Sequence, residues 1–180
     1  LIQSLKNLLN RGYDSAGIAT NKHSGNNIWF HKYASTNSVN AITKLEENYD
    51  NIRYINNNIG IAHTRWGTHG YISDINSHPH TDNDKNIYLV HNGIINNYET
   101  LKLFLSNKNY KFYSQTDTEI IVNLISYHFK LTNNIDKTIK IVCNSLEGTF
   151  GVVFYMTQFP NKLFVFKKGS PVLISSHYDF

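Results

Sequence analysis

The sequence has one cysteine, Cys143, in 180 residues. A lone thiol excludes an intramolecular disulfide and any paired-cysteine metal site. No apolar run reaches the roughly 18 residues of a membrane span, so no membrane contact is expected. No signal peptide stands at Leu1. These absences suit a reducing cytosol, and a cytoplasmic location is the expectation. Basic runs are missing too. The 17 Lys+Arg against 13 Asp+Glu leave a formal charge of +4 and a pI near 9.0, but the lysines are scattered. That pattern describes a mildly basic surface and excludes an extended nucleic-acid footprint. There is no Gly-rich phosphate loop, since RGYDSAG at Arg11–Gly17 lacks its lysine and spacing, and no Gly-x-Ser-x-Gly elbow.

What is present fits one domain with a sizeable core. Hydrophobic residues make up 41% and aromatics 13%. Apolar spacing predicts helices over Leu1–Asn10, Ser38–Tyr49, from Tyr98 through Leu105, from Thr116 to about Leu131, and over Asp136–Leu146. Strands are expected at Gly17–Thr20, Ile28–Ala34, Gly60–Thr64, Ile87–His91, Lys111–Ser114, Gly151–Met156, Leu163–Lys167 and Val172–Ser175. His23–Asn27 reads as a hairpin turn, and Thr116 with Glu119 as a capping box. Strands, a helical block and strands again predict α+β layering, with sheets covered by helices.

Chemistry concentrates between Gly60 and Gly93, where two strand-like runs bracket a loop rich in polar and ionisable side chains. Rigid strands position what such loops carry. Arg65 follows a strand and offers a planar fork to a carboxylate; a structural ion pair explains it equally well. Thr68 and His69 add a hydroxyl and an imidazole. Asp117 sits where a helix cap is expected, and could also face an ammonium group. His91-Asn92-Gly93 reads by default as a turn, although a side-chain amide beside a backbone N–H can build an oxyanion hole. The histidines at 63, 69, 78, 80 and 91 match no zinc spacing. Cys143 has the helical spacing of a buried core thiol.

Together, RGYDSAG (Arg11–Gly17), HTRWGTHG (His63–Gly70), NSHPH (Asn76–His80), HNGII (His91–Ile95), QTDTE (Gln115–Glu119), EGTFG (Glu147–Gly151) and GSPVLI (Gly169–Ile174) resemble the glutaminase domains of glutamine–fructose-6-phosphate aminotransferases. These are class II amidotransferases of the N-terminal nucleophile family. The resemblance implies a four-layer αββα sandwich over residues 1–180, truncated at both ends. It implies attack on the glutamine amide by an N-terminal cysteine, whose α-amino group is the base. It further implies that Arg65 binds the substrate carboxylate beside Thr68 and His69, that Asp117 holds the α-ammonium, and that Asn92 and Gly93 form the oxyanion hole. Trp66 would help gate an ammonia channel and Arg11 would support the nucleophile. No metal or organic cofactor is implied. The implied partners are L-glutamine and a C-terminal sugar-phosphate isomerase domain binding fructose 6-phosphate, in a homo-oligomer.

Three departures stand out. Position 1 is Leu, which puts the expected nucleophile upstream of this chain, so the polypeptide as given is expected not to turn over glutamine. Gly67 stands where alanine is common in the family, and Gln115 where glutamate is common. Another class II amidotransferase, or a non-catalytic glutamine-binding or assembly domain, are the alternatives.

Overall fold

The computed structural model describes residues 1–22, 28–49, 57–67 and 70–175. Side-chain alternation explains its layers, because successive strand residues face opposite sides. Strand β1 (Ser15–Lys22) is the middle of an antiparallel three-stranded sheet between β2 (Ile28–Ala34) and β3 (Asn57–Arg65). Ala16 and Ile18 of β1 pack with Leu5 of α1 (Ile2–Asn7) and with Ala41, Ile42 and Leu45 of α2 (Ala41–Tyr49). Ala19 points the other way, towards a second sheet.

That sheet has the order β4 (His80–Thr81), β5 (Ile87–Ile95), β6 (Gly148–Met156), β7 (Leu163–Lys168). Ile87, Leu89 and Ile95 of β5 join Phe150, Val152, Phe154 and Met156 of β6 on one face. They are covered by α3 (Tyr98–Ser106), α4 (Asp117–Thr132) and α5 (Ile135–Ser145), through Leu101, Leu105, Ile121, Leu124, Ile125 and Val142. Tyr88, Val90 and Tyr155 take the opposite face and meet Ala19 and Ile61 between the sheets. Three apolar seams therefore separate four layers, in the order helix, sheet, sheet, helix. Each fully buried Leu, Ile or Phe contributes about 1.5–3 kcal/mol to this arrangement.

Several local expectations are corrected. Asn92-Gly93 is no turn: β5 runs through it, pairing Asn92 with Gly151 and Gly93 with Phe150. Lys111–Ser114 is not a strand. Its backbone N–H groups at Tyr113 and Ser114 donate to the buried Glu119 carboxylate at 2.7–3.1 Å, which takes the place of a ladder. The same bonds undo the capping box, because Glu119 is engaged there and the Thr116 side chain makes no cap bond. Residues 171–175 carry no strand, and Leu173 and Ile174 are exposed. The first helix ends at Asn7 and gives way to a tight 3₁₀ turn over Leu9–Arg11. The second starts at Ala41, where Asn40 Oδ1 accepts from Ile42 N–H at 2.8 Å. The hairpin turn expected at His23–Asn27 lies outside the described residues.

Candidate active site

The end of β3 delivers Arg65 and Trp66 to the rim of the sandwich, and the turn before β1 holds them there. Asp14 N–H donates to Arg65 O at 3.1 Å, and Asp14 Oδ2 accepts from Gly67 N–H at 2.7 Å. Gly12 lies so close that a Cβ would sit 2.8 Å from the Arg65 carbonyl carbon. Tyr13 stacks obliquely on Trp66, with ring centroids 5.7 Å apart. The RGYDSAG stretch is therefore the cradle of Arg65 and Trp66. Arg65 is only 5% exposed. Burial lowers its pKa below the ordinary guanidinium range, and the nearby Asp14 and Asp117 carboxylates oppose that shift.

The facing wall comes from the second sheet. Asp117 opens α4, and its Oδ2 accepts from Ile95 N–H at 3.0 Å, tying the helix start to the end of β5. Gly93 has φ +137°, a conformation L side chains rarely adopt, and a Cβ there would meet Thr149 O at 2.0 Å. Only glycine lets the backbone of β5 lie this way beside β6. Asn92 projects towards the three-stranded sheet, where its Oδ1 lies 2.8 Å from His63 Nε2.

Arg11, Arg65, Trp66, Asn92, Gly93 and Asp117 all line one cleft of about 350 Å³ between the two sheets. Thr68 and His69 lie outside the described residues. A cleft of equal volume at the other end of β5 already has its charges matched. There Lys130 Nζ sits 2.6 Å from Asp84 Oδ2, and Asp82 accepts from Asn86 N–H, Ile87 N–H and Ser126 Oγ–H.

Sequence spacing gave no sign of how the histidines assemble at the cleft, which His63, His78 and His91 line and behind which His80 lies against His78. His63 and His78 lie with ring centroids 4.4 Å apart, and His78 and His80 with centroids 5.0 Å apart. The hydroxyls of Thr116 and Thr118, expected only as helix-start residues, are their partners. Thr118 Oγ1 is 2.8 Å from His78 Nε2 and 3.1 Å from His91 Nδ1, and Thr116 Oγ1 is 3.0 Å from His80 Nε2. Burial is the main cause that pushes His63 down to about 4 and His78 and His80 well below the usual imidazole range. These three rings are neutral at neutral pH. Among the described residues no group of three or more His, Cys, Asp or Glu side chains is arranged to hold a metal ion.

Residues 63–169 match the family described as the glutamine amidotransferase domain. The chain belongs to that family. Among its relatives, a glutamine–fructose-6-phosphate aminotransferase (isomerizing) of Clostridium acetobutylicum is 41% identical over 99% of this chain. The mouse glutamine–fructose-6-phosphate aminotransferase (isomerizing) 2 is 39% identical over 97% of it. This amidotransferase chain spans 27–28% of the length of those relatives. A solved glutamine phosphoribosylpyrophosphate amidotransferase from B. subtilis superposes with a TM-score of 0.71 at 24% identity, covering 92% of this chain and 33% of that one. The likeness shows the fold, the four-layer sandwich of the N-terminal nucleophile amidohydrolases.

Proposed function

We propose that the chain is the glutaminase domain of a longer hexosamine-forming amidotransferase, truncated at both ends, that hydrolyses L-glutamine to glutamate and ammonia. The single observation that carries this reading is the make-up of one cleft. It has a buried guanidinium, a carboxylate at the helix start, and the Asn92-Gly93 pair on β5 of the four-stranded sheet. A free α-amino acid needs a cation for its carboxylate and an anion for its ammonium group. Arg65 and Asp117 supply both.

With glutamine so held, its side-chain carbonyl reaches Asn92 and Gly93. A cysteine thiolate from the N-terminal side of Leu1 attacks the carbonyl carbon, and the C=O electrons move onto oxygen. The Asn92 carboxamide N–H and the Gly93 backbone N–H stabilise that oxyanion. Collapse expels ammonia, protonated by the α-amino group, and leaves a glutamyl thioester that water hydrolyses to glutamate. Neutral histidines at the cleft suit this chemistry, because they add no fixed charge to compete with the substrate. Arg11 supports the nucleophile, and exposed Trp66 at the rim gates the exit of ammonia. In the complete protein, a C-terminal sugar-phosphate isomerase domain uses that ammonia on fructose 6-phosphate, in a cytoplasmic homo-oligomer.

The test is expression of the full-length protein with its natural N-terminus. Glutamate and glucosamine 6-phosphate are expected as products, and changing the N-terminal cysteine to alanine should silence both. Unchanged glutamate release in that control refutes the nucleophile assignment. Glutamate release without amino-sugar formation places the domain in a different amidotransferase.

A further inference from the structure

Asn92 and His63 belong to different sheets, yet Asn92 Oδ1 and His63 Nε2 are 2.8 Å apart at the edge of the cleft. A carboxamide oxygen can only accept, so the imidazole must present Nε2–H to it. The two ends of an asparagine side chain have nearly the same shape and opposite polarity. With its oxygen towards the cleft, Asn92 repels a forming oxyanion; with its nitrogen there, it donates. No other hydrogen bond to a described residue fixes this side chain.

We infer that His63 is a positioning residue for the proposed glutaminase step: its Nε2–H holds the Asn92 oxygen against β3 and so turns the Asn92 Nδ2 donors into the cleft. The inference rests on the glutaminase reading above. The ring itself is fixed from behind. His63 sits opposite Gly17 in the β1–β3 ladder. The space a Gly17 side chain would occupy is filled by the His78 carbonyl oxygen, 2.0 Å from the position of a Cβ. That approach brings the His78 ring against His63, with 4.4 Å between centroids. His63 Nδ1 is buried with no hydrogen-bond partner among the described residues. A bare Nδ1 is what the Nε2–H tautomer requires, since the atom left unpaired is then an acceptor and not a proton donor. Burial also keeps the ring neutral, with a pKa pushed down to about 4.

The experiment uses the full-length protein with its N-terminal cysteine, read by steady-state glutamate release. If the unaltered enzyme releases no glutamate, the glutaminase reading fails, and this inference with it. If it does, His63→Phe is expected to lower kcat by about 10- to 100-fold with KM changed by less than about threefold. His63→Gln keeps an N–H donor and should recover most of the loss. In an Asn92→Ala background, His63→Phe should cost less than about threefold more, because the group it positions is gone. His63→Ala, smaller and also donor-free, is read by the same ratio should the phenyl ring not fit. Equal losses in both backgrounds, a loss carried by KM, or a His63→Gln variant as poor as His63→Phe overturns the inference with the glutaminase reading intact.

Discussion

Among the described residues, seventeen buried apolar side chains form one cluster around the four-stranded sheet and its three helices, whereas six do so between the three-stranded sheet and α1 and α2. The thin half makes up for this with polar ties. Lys32 Nζ–H donates to Ile75 O and Ser77 O at 3.0 and 2.7 Å, and Ala34 N–H donates to Asp74 Oδ1 at 2.6 Å. The cleft divides in the same way. The thin half supplies Arg11, His63, Arg65 and Trp66, and the thick half supplies Asn92, Gly93 and Asp117. In the proposed reaction the Asn92–Gly93 oxyanion pair stands on the better-packed sheet and Arg65, the proposed grip on the substrate carboxylate, on the sheet with less burial behind it, while Asp117 grips the ammonium group from the thick half. Local stability follows buried apolar contact, so the proposed oxyanion pair is expected to be held more rigidly than the proposed carboxylate grip at Arg65.

The largest expected effect tests the cores. Phe154→Ala should destabilise the domain by about 3–5 kcal/mol in urea unfolding, and Leu45→Ala in the thin core by about 2–3 kcal/mol, because less surrounding structure loses contact. Equal costs would erase the asymmetry. Next is the division of labour in the cleft. Asn92→Ala in the full-length enzyme should lower kcat by roughly 100- to 1,000-fold, or about 3–4 kcal/mol. Arg65→Ala should act mainly on KM, by about 1.5–3 kcal/mol. A kcat effect as large from Arg65→Ala would mean that the thin half holds the transition state as well.

The histidines between the halves make stability depend on pH. Burial lowers the folded-state pKa values of His63, His78 and His80 from 6.5, so the unfolded chain binds more protons in acid. Their contribution is intact above 6.5 and is lost as pH falls through 6.5 towards the His63 value of about 4. The urea midpoint should drop between about pH 7.5 and about pH 5, ahead of carboxylate titration. A flat midpoint over that window would contradict buried neutral rings. The smallest effect belongs to the periphery of the thick half. Asn134 Oδ1 accepts from Lys137 N–H at 2.9 Å at the start of α5, and Asn134→Ala should cost about 1 kcal/mol, seen as a lower melting temperature.

Much of this was legible in the sequence because the signals were periodic. Ile28–Ala34 was bounded correctly as a strand, and the C-terminal ends of four of the five helices fall within about one residue of their expected positions. Legibility failed where a distant partner outweighed a local preference. Asn-Gly favours a turn, but β6 lies alongside and continues the ladder through it. Thr116 and Glu119 have the spacing of a cap, but backbone donors at 113–114 and the His80 ring claim their side chains first. Within the cleft, Arg65 and Asp117 could be named from motifs, while the stacked histidines could not. Their positions, 63, 78 and 80, become neighbours only when a loop of the second sheet folds across the first.

Gly17 shows what that crossing asks of evolution. It lies within β1, is not part of the cleft lining, and would pass for a replaceable position in a tolerant sheet. Yet even alanine would drive its methyl into the His78 carbonyl oxygen and the Lys32 side chain, at 2.0 and 2.7 Å. Sequence drift here is closed off by crowding and not by chemistry. A saturation library scored for soluble protein should therefore return glycine at position 17 as strictly as a library scored for glutamine turnover.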